Sequence, residues 1–360
     1  MTSRAGADGR PISILAFPSK GNAYVDCFYP PIEALGVDVR EGIFAGRWLL
    51  RNLHHVDYVH IHWPSFLYGS ADRGTCLRAF ALFLFLIALI RWRGARLIWT
   101  VHNLYPHDRC VIPRMDTWVR RILVKNCAFF LIHGPAAEQA VLAEFPATAG
   151  RTVPIEHGNW IGYYPNTIGR DDARMRMGLK KDDFVFLFAG LCKPYKNLEL
   201  LIREFEELPG DRVLVIAGAF QDPKYQAVIQ AAAERSRARI RLDAGFVPRD
   251  GMQIYMRACD VVVAPYAEVL TSGTAMLALS FGRPVVAPAA GHLRTIIQEG
   301  CGALYDPSQP DGLRAALCVA MNSTFDQSRI LAEAAKHTWE ETASIVLARM
   351  KQDSTFDPNI

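Results

Sequence analysis

The eight cysteines of this 360-residue chain include no C-x-x-C pair and no set at metal-ligand spacing. They read as reduced residues of a cytoplasmic protein, most of them at core or boundary positions. Blocks of like charge are missing as well: 40 Lys and Arg stand against 36 Asp and Glu, a balance of only +4, and this argues against a nucleic-acid partner. The small basic excess still suits anionic phosphates or an anionic membrane surface. Met1 to Arg10 lack the apolar core of a signal peptide, so secretion is not expected and these first ten residues are expected to be loose. There is no low-complexity tract and no short-period repeat. The first apolar run is not followed by a G-x-G-x-x-G fingerprint or an acidic residue placed for a ribose, which weighs against a dinucleotide oxidoreductase. No Asp-x-Asp cluster closes a strand, so chemistry without a metal or other cofactor is expected.

The chain is 51% hydrophobic, too apolar for disorder and too long for one core of ordinary size. Two domains are expected, with a boundary near 165 to 180: residues 1–168, residues 169–345 and a tail at 346–360. Short runs rich in Val, Ile and Phe alternate with segments of helical period, the pattern of repeated βαβ units and a buried parallel sheet. The pattern predicts strands over 12–17, 58–62, 96–101 and 128–133, then again over 184–188, 212–217, 240–242, 261–263 and 284–287. The predicted fold class is α/β with two doubly wound domains facing a cleft, where strand ends and their loops form the default ligand site.

Ala79 to Ile90 are twelve uncharged apolar residues flanked by Arg78, Arg91, Trp92 and Arg93. As a helix this run covers about 18 Å, short of a hydrocarbon core of roughly 30 Å. Two readings stand: a core helix lying on a sheet, or peripheral membrane contact through residues 78–93.

Two loops concentrate the chemistry. In Phe188-Ala-Gly-Leu-Cys-Lys-Pro-Tyr-Lys-Asn197 a strand ends at Gly190, and Lys193 and Lys196 follow before a helix that Asn197 is placed to cap. Solvated loop lysines would explain this segment equally well. In Ala264-Pro-Tyr-Ala-Glu-Val-Leu-Thr-Ser-Gly-Thr-Ala-Met276 a buried strand leads to Glu268 and then to Thr271, Ser272, Gly273 and Thr274 at a helix start. Amides and hydroxyls there suit an anion, although plain capping by Ser272 or Thr271 is the alternative. Gly21 and Asn22, after the first strand, admit a close backbone approach or form a simple turn.

With these segments in place, the chain resembles the GT-B glycosyltransferases, and most closely the bacterial enzymes that build exopolysaccharide repeats on lipid carriers. The likeness is carried by His60-Ile-His-Trp-Pro64, Thr100-Val-His-Asn-Leu-Tyr-Pro-His-Asp108, Gly190 to Asn197 and Pro265 to Pro288, in the same order and at similar intervals. Within that superfamily it is most similar to the xanthan-type GDP-mannose:glycolipid 4-β-mannosyltransferase family. The resemblance implies transfer of a hexose from a nucleotide-diphosphate sugar, GDP-mannose favoured, to a lipid-linked saccharide with inversion. The enzyme would then work in the cytoplasm, at the inner face of the plasma membrane if the apolar helix touches it. A retaining enzyme using a UDP-sugar, and a nucleotide-sugar-binding relative without catalysis, are the alternatives.

By the same resemblance Lys196 matches the lysine on the donor diphosphate, and Lys193 stands where an arginine is usual. Ser272, Gly273 and Thr274 match the phosphate loop, Glu268 faces the donor sugar, and Phe246 and Val247 lie where the base stacks. His102 falls near the reacting centre, with Asp108 as the other candidate base. The second glutamate of the retaining relatives would fall at Met276, which favours inversion. His60 and His62 read as structural or as lining the acceptor side, and His157 as bordering the cleft.

Overall fold

The structure, a computed structural model, describes residues 10–355. The expectation of a loose start therefore lies, for residues 1–9, outside the described residues. Each half builds one parallel six-stranded sheet. The first contains β1 (Ser13–Phe17), β2 (Asp38–Glu41), β3 (Tyr58–Ile61), β4 (Arg96–Thr100), β5 (Cys127–His133) and β6 (Thr152–Ile155), in the order β2-β1-β3-β4-β5-β6. The second contains β7 (Phe184–Ala189), β8 (Arg212–Gly218), β9 (Arg239–Ala244), β10 (Val261–Val263), β11 (Val285–Pro288) and β12 (Gly302–Tyr305), in the order β12-β11-β10-β7-β8-β9.

The central strands read as unbroken apolar runs because helices cover both of their faces; Val185 to Ala189 and Val213 to Ala217 are all buried. Where strand order reverses in an open α/β sheet, the loops at the carboxyl ends diverge and leave a crevice. In the first sheet that point lies between β1 and β3, and in the second between β7 and β10. The loops after β7 and β10 are the two segments singled out by the sequence.

The chain divides at Gly158/Asn159, and the residues from Thr338 onward rejoin the first unit. This corrects the boundaries at 168/169 and 345/346. Residues 159–183 belong to the second unit because their polar groups are satisfied there. Trp160 Nε1 donates to Gly273 O at 3.0 Å, and the buried Arg174 pairs with Asp260 at 2.8 Å while donating to the carbonyls of Ala258, Lys181 and Asp183. The helix Trp339–Thr355 is no separate tail: Thr342 Oγ1 donates to Glu156 O, Tyr58 OH donates to Met350 O, and Trp339 packs edge-on against Tyr24. The remaining tail residues, 356–360, lie outside the described residues.

Candidate active site

In the second unit β7 runs out at Ala189, and Gly190 turns the chain with φ of +133°, a conformation that a side chain rarely adopts. The backbone passes so close to Gly218 that a Cβ there would fall 1.7 Å from Gly190 O. A short 3-10 turn, Pro194–Lys196, then lifts Lys196, and Ala267 N donates to Tyr195 O at 2.9 Å, tying this turn to the loop after β10. The Lys196 ammonium lies 3.5 Å from the centre of the Tyr266 ring and 5.0 Å from that of Tyr195.

Burial alone would lower the Lys196 pKa, but the two phenols outweigh it and hold the group above the ordinary lysine value. Burial alone would likewise raise the Tyr266 phenol. The Lys196 ammonium and the Thr274 and Ser272 hydroxyls reverse that, and its pKa falls below the ordinary value. Lys196 is thus a persistent cation, and Tyr266 sits between it and the helix start.

That helix is Gly273–Ser280. Ser272 Oγ accepts from Ala275 N at 3.2 Å, and Thr274 Oγ1 reaches back toward Ala189 O at 3.4 Å. The capping alternative is therefore realised at Ser272. The buried Thr271 hydroxyl has no hydrogen-bond partner. Loop lysine, helix start and strand end converge within one unit, an arrangement that fits an anion through charge and amide dipoles together.

In the first unit the loops after β3 and β4 bring buried aromatic polar groups together. His102 stacks on Trp63 with ring centres 4.4 Å apart and meets Tyr24 edge-on at 4.6 Å. Its Nε2 hydrogen-bonds His62 Nδ1 at 3.2 Å. Burial, and then the neighbouring imidazoles of His157 and His60, push the His102 pKa well below the ordinary value, so the ring is neutral near pH 7.

Residues 183–323 match the family model described as glycosyl transferases group 1. A GDP-mannose:glycolipid 4-beta-D-mannosyltransferase of Xanthomonas campestris pv. campestris is 28% identical over 305 residues, 82% of this chain and 79% of its own length. A D-inositol 3-phosphate glycosyltransferase of Xylanimonas cellulosilytica is 31% identical over 185 residues, 49% of this chain and 44% of its own length. Among solved structures, Anabaena HepE in complex with UDP superposes with a TM-score of 0.67 at 16% identity, covering 96% of this chain and 98% of that one. Residues 183–323 carry a glycosyl transferases group 1 domain, and the chain has the GT-B fold.

Within this fold the other expected site residues fall as follows. Lys193 is half-buried at the entry to the 3-10 turn, and Asn197 adopts the left-handed conformation with φ of 59° and makes no side-chain cap, which corrects its expected capping role. Glu268 is exposed two residues beyond Tyr266. Phe246, 82% exposed, and Val247 line a cavity of about 440 Å³ with Arg176, Arg241 and Tyr255; neither lysine nor the helix start borders it. Asn22 caps the helix Ala23–Ala34 by accepting from Val25 N, and Gly21 turns with φ of 97°.

Asp108 is exposed in the loop beyond His102. His157 is buried and bonds Gly158 O, and Met276 is fully buried. Sequence reasoning missed Tyr24, Tyr29, Tyr195 and Tyr266. The helical spacing of Tyr24, Phe28 and Ile32 was the available signal for the first of these, since it places an aromatic face over the sheet. Among the described residues no group of three His, Cys, Asp or Glu is arranged to hold a metal ion.

Proposed function

We propose that this glycosyltransferase transfers mannose from GDP-mannose to a lipid-linked saccharide with inversion, as a step in exopolysaccharide assembly. The observation that carries the reading is the convergence of Lys196 with the Ser272–Thr274 helix start at the point where strand order reverses. Lys196, Lys193 and the amides of the turn bind the donor diphosphate and take up its charge as it leaves. With that charge met by the protein, the step needs no metal and no cofactor. Gly190 admits the donor close to the backbone, Thr271 presents its hydroxyl, Glu268 hydrogen-bonds the sugar, and Phe246 with Val247 stacks the base. Gly21 and Asn22 border the donor or the acceptor.

His102 is the base that takes the acceptor hydroxyl proton, since it is neutral and already held by a partner on its Nε2; Asp108 is its exposed alternative. Inversion is supported by Met276, a buried thioether side chain where retaining relatives carry a glutamate. The donor is supported by the likeness to the Xanthomonas GDP-mannose:glycolipid 4-beta-D-mannosyltransferase. A thermal-shift panel of GDP-, UDP- and ADP-sugars tests it: stabilisation by GDP-mannose above the others is expected, and selective stabilisation by a UDP- or ADP-sugar would replace the donor.

Membrane contact is part of the same proposal. The helix that contains the apolar run, Arg73–Trp92, has 20 residues and is by length and composition alone long enough to cross a membrane, with 33% of its most apolar window buried. Phe83, Leu86, Ile87 and Ile90 face the first unit, while Leu77, Leu84, Phe85 and Trp92 are exposed on the other side next to Arg78 and Arg91. The helix Gly46–Asn52, packed against it, adds exposed Arg47, Leu50 and Arg51. An apolar stripe edged by arginines suits an anionic bilayer surface at the cytoplasmic face of the plasma membrane. Flotation with phosphatidylglycerol vesicles, lost in an Arg78→Glu, Arg91→Glu double variant, is the expected result; wild-type protein that stays at the bottom of the gradient ends this part.

A further inference from the structure

Behind His102 runs a continuous chain of buried hydrogen bonds. His102 Nε2 meets His62 Nδ1 at 3.2 Å, and His62 Nε2 meets the Tyr29 hydroxyl at 2.7 Å. The same hydroxyl meets His60 Nδ1 at 2.9 Å, and His60 Nε2 meets Thr100 Oγ1 at 2.7 Å. Local structure explains the layout. His60 and His62 alternate with Ile61 at the end of β3 and so share one face, Thr100 closes the neighbouring β4, and Tyr29 reaches both imidazoles from the helix Ala23–Ala34. Tyr29, His60, His62 and Thr100 are each at most 2% exposed, so water does not substitute for any of these partners.

A neutral imidazole has one N–H and one lone pair, and a hydroxyl has one hydrogen to donate. When both nitrogens of His60 and of His62 are engaged and one hydroxyl joins them, the tautomers are coupled. If Tyr29 donates to His60 it accepts from His62, and the whole chain then runs in one direction. Breaking the direction sets two donors or two lone pairs face to face, or, where both imidazoles donate to Tyr29, leaves its hydroxyl hydrogen without an acceptor, and each of these is costly in a dry interior.

We propose that Tyr29, His60, His62 and Thr100 are positioning residues that lock His102 in the tautomer with its proton on Nε2 and its lone pair on Nδ1. In that direction His102 Nε2–H donates to His62, His62 Nε2–H to Tyr29, Tyr29 O–H to His60, and His60 Nε2–H to Thr100. The unshared atom of His102, Nδ1, is left as the acceptor for a hydroxyl proton. Trp63 stacked on one side and Tyr24 edge-on keep the ring from turning. The other titratable groups facing this ring are His133 from β5 and His157 from the segment after β6; Tyr24 bonds His133 Nε2 at 3.1 Å, and His157 Nδ1 donates to Gly158 O. The inference rests on His102 being the base in the proposed reaction, and it adds what makes that base competent before substrate arrives.

The test is imidazole nitrogen NMR on the full chain with ¹⁵N-labelled histidine, His102 being assigned by the signal lost in His102→Asn. In the wild type a single neutral His102 form is expected, protonated on Nε2 and bare on Nδ1, and in Tyr29→Phe a mixture of the two tautomers. Thr100→Val, which removes the far hydroxyl without changing volume, is expected to loosen the tautomer in the same sense and guards against a misfolded Tyr29→Phe. Turnover of GDP-mannose should fall at least in proportion to the wrong tautomer, with the donor KM unchanged. A mixed or Nδ1-protonated His102 in the wild type, or the same single form in both variants, overturns the proposal. Full activity in His102→Asn, with the tautomer pattern as expected, would instead remove the base assignment and leave the relay standing.

Discussion

Lys196 holds its ammonium 3.5 Å above the Tyr266 ring, and that ring sits against the hydroxyls of the turn that caps the helix Gly273–Ser280. A half-buried cation on an aromatic face is worth about 2 kcal/mol when desolvated. Tyr266→Leu is expected to lower stability by about 1–2 kcal/mol in scanning calorimetry and to weaken GDP binding, whereas Tyr266→Phe keeps the face and most of both. Equal effects from the two variants would show that the ring is not what holds the lysine.

The loop that carries the lysines depends on backbone crossing backbone at Gly218. A Cβ placed there meets Gly190 O at 1.7 Å, and neither partner is a flexible side chain. Gly218→Ala therefore displaces the Gly190 turn; destabilisation of about 1–3 kcal/mol is expected, together with loss of GDP affinity. A variant with wild-type melting and binding would contradict this geometry.

Arg174 anchors the segment that leads into the second unit. Its guanidinium is buried, pairs with Asp260 and satisfies the carbonyls of Ala258, Lys181 and Asp183. Removing one partner of such a pair costs about 3–5 kcal/mol, so Arg174→Ala should unfold the second unit well before the wild type in denaturant. Asp260→Asn should do less harm, because the arginine keeps its carbonyls.

Acid should act through the buried imidazoles. Burial lowers His60 to about 3, and His62 and His102 are also depressed, His62 further by its histidine neighbours. Below the ordinary histidine pKa of about 6.5 the unfolded chain therefore binds more protons than the folded one. The stability these groups contribute is complete above about pH 6.5 and is lost as pH falls toward 3. Melting temperature measured from pH 8 to pH 4.5 should drop below pH 6.5, with a smaller slope in His60→Gln; a slope unchanged in that variant would contradict the assignment.

The interior of each sheet was legible because strands covered on both faces contain unbroken apolar runs, such as Val185 to Ala189 and Val213 to Ala217. The edges were not. Asp38–Glu41 is mostly charged, Thr152–Ile155 contains Pro154, and Gly302–Tyr305 is four residues long, so none carries an apolar signature. Lys196 and Ser272 to Thr274 were visible as charge and hydroxyls at strand ends. Tyr266 and Tyr29 were not, because their partners lie on other elements and only the folded chain joins them. The return of Trp339–Thr355 to the first unit was hidden for the same reason: Tyr58 and Met350 meet across nearly the whole sequence.

The central claim, that Lys196 and the helix start at Gly273 bind the donor diphosphate, is tested most directly by calorimetric titration of wild type and Lys196→Ala with GDP. A charge-assisted contact of about 1.5–3 kcal/mol predicts an affinity lower by roughly 10- to 150-fold in the variant. The same dissociation constant for both proteins would contradict it.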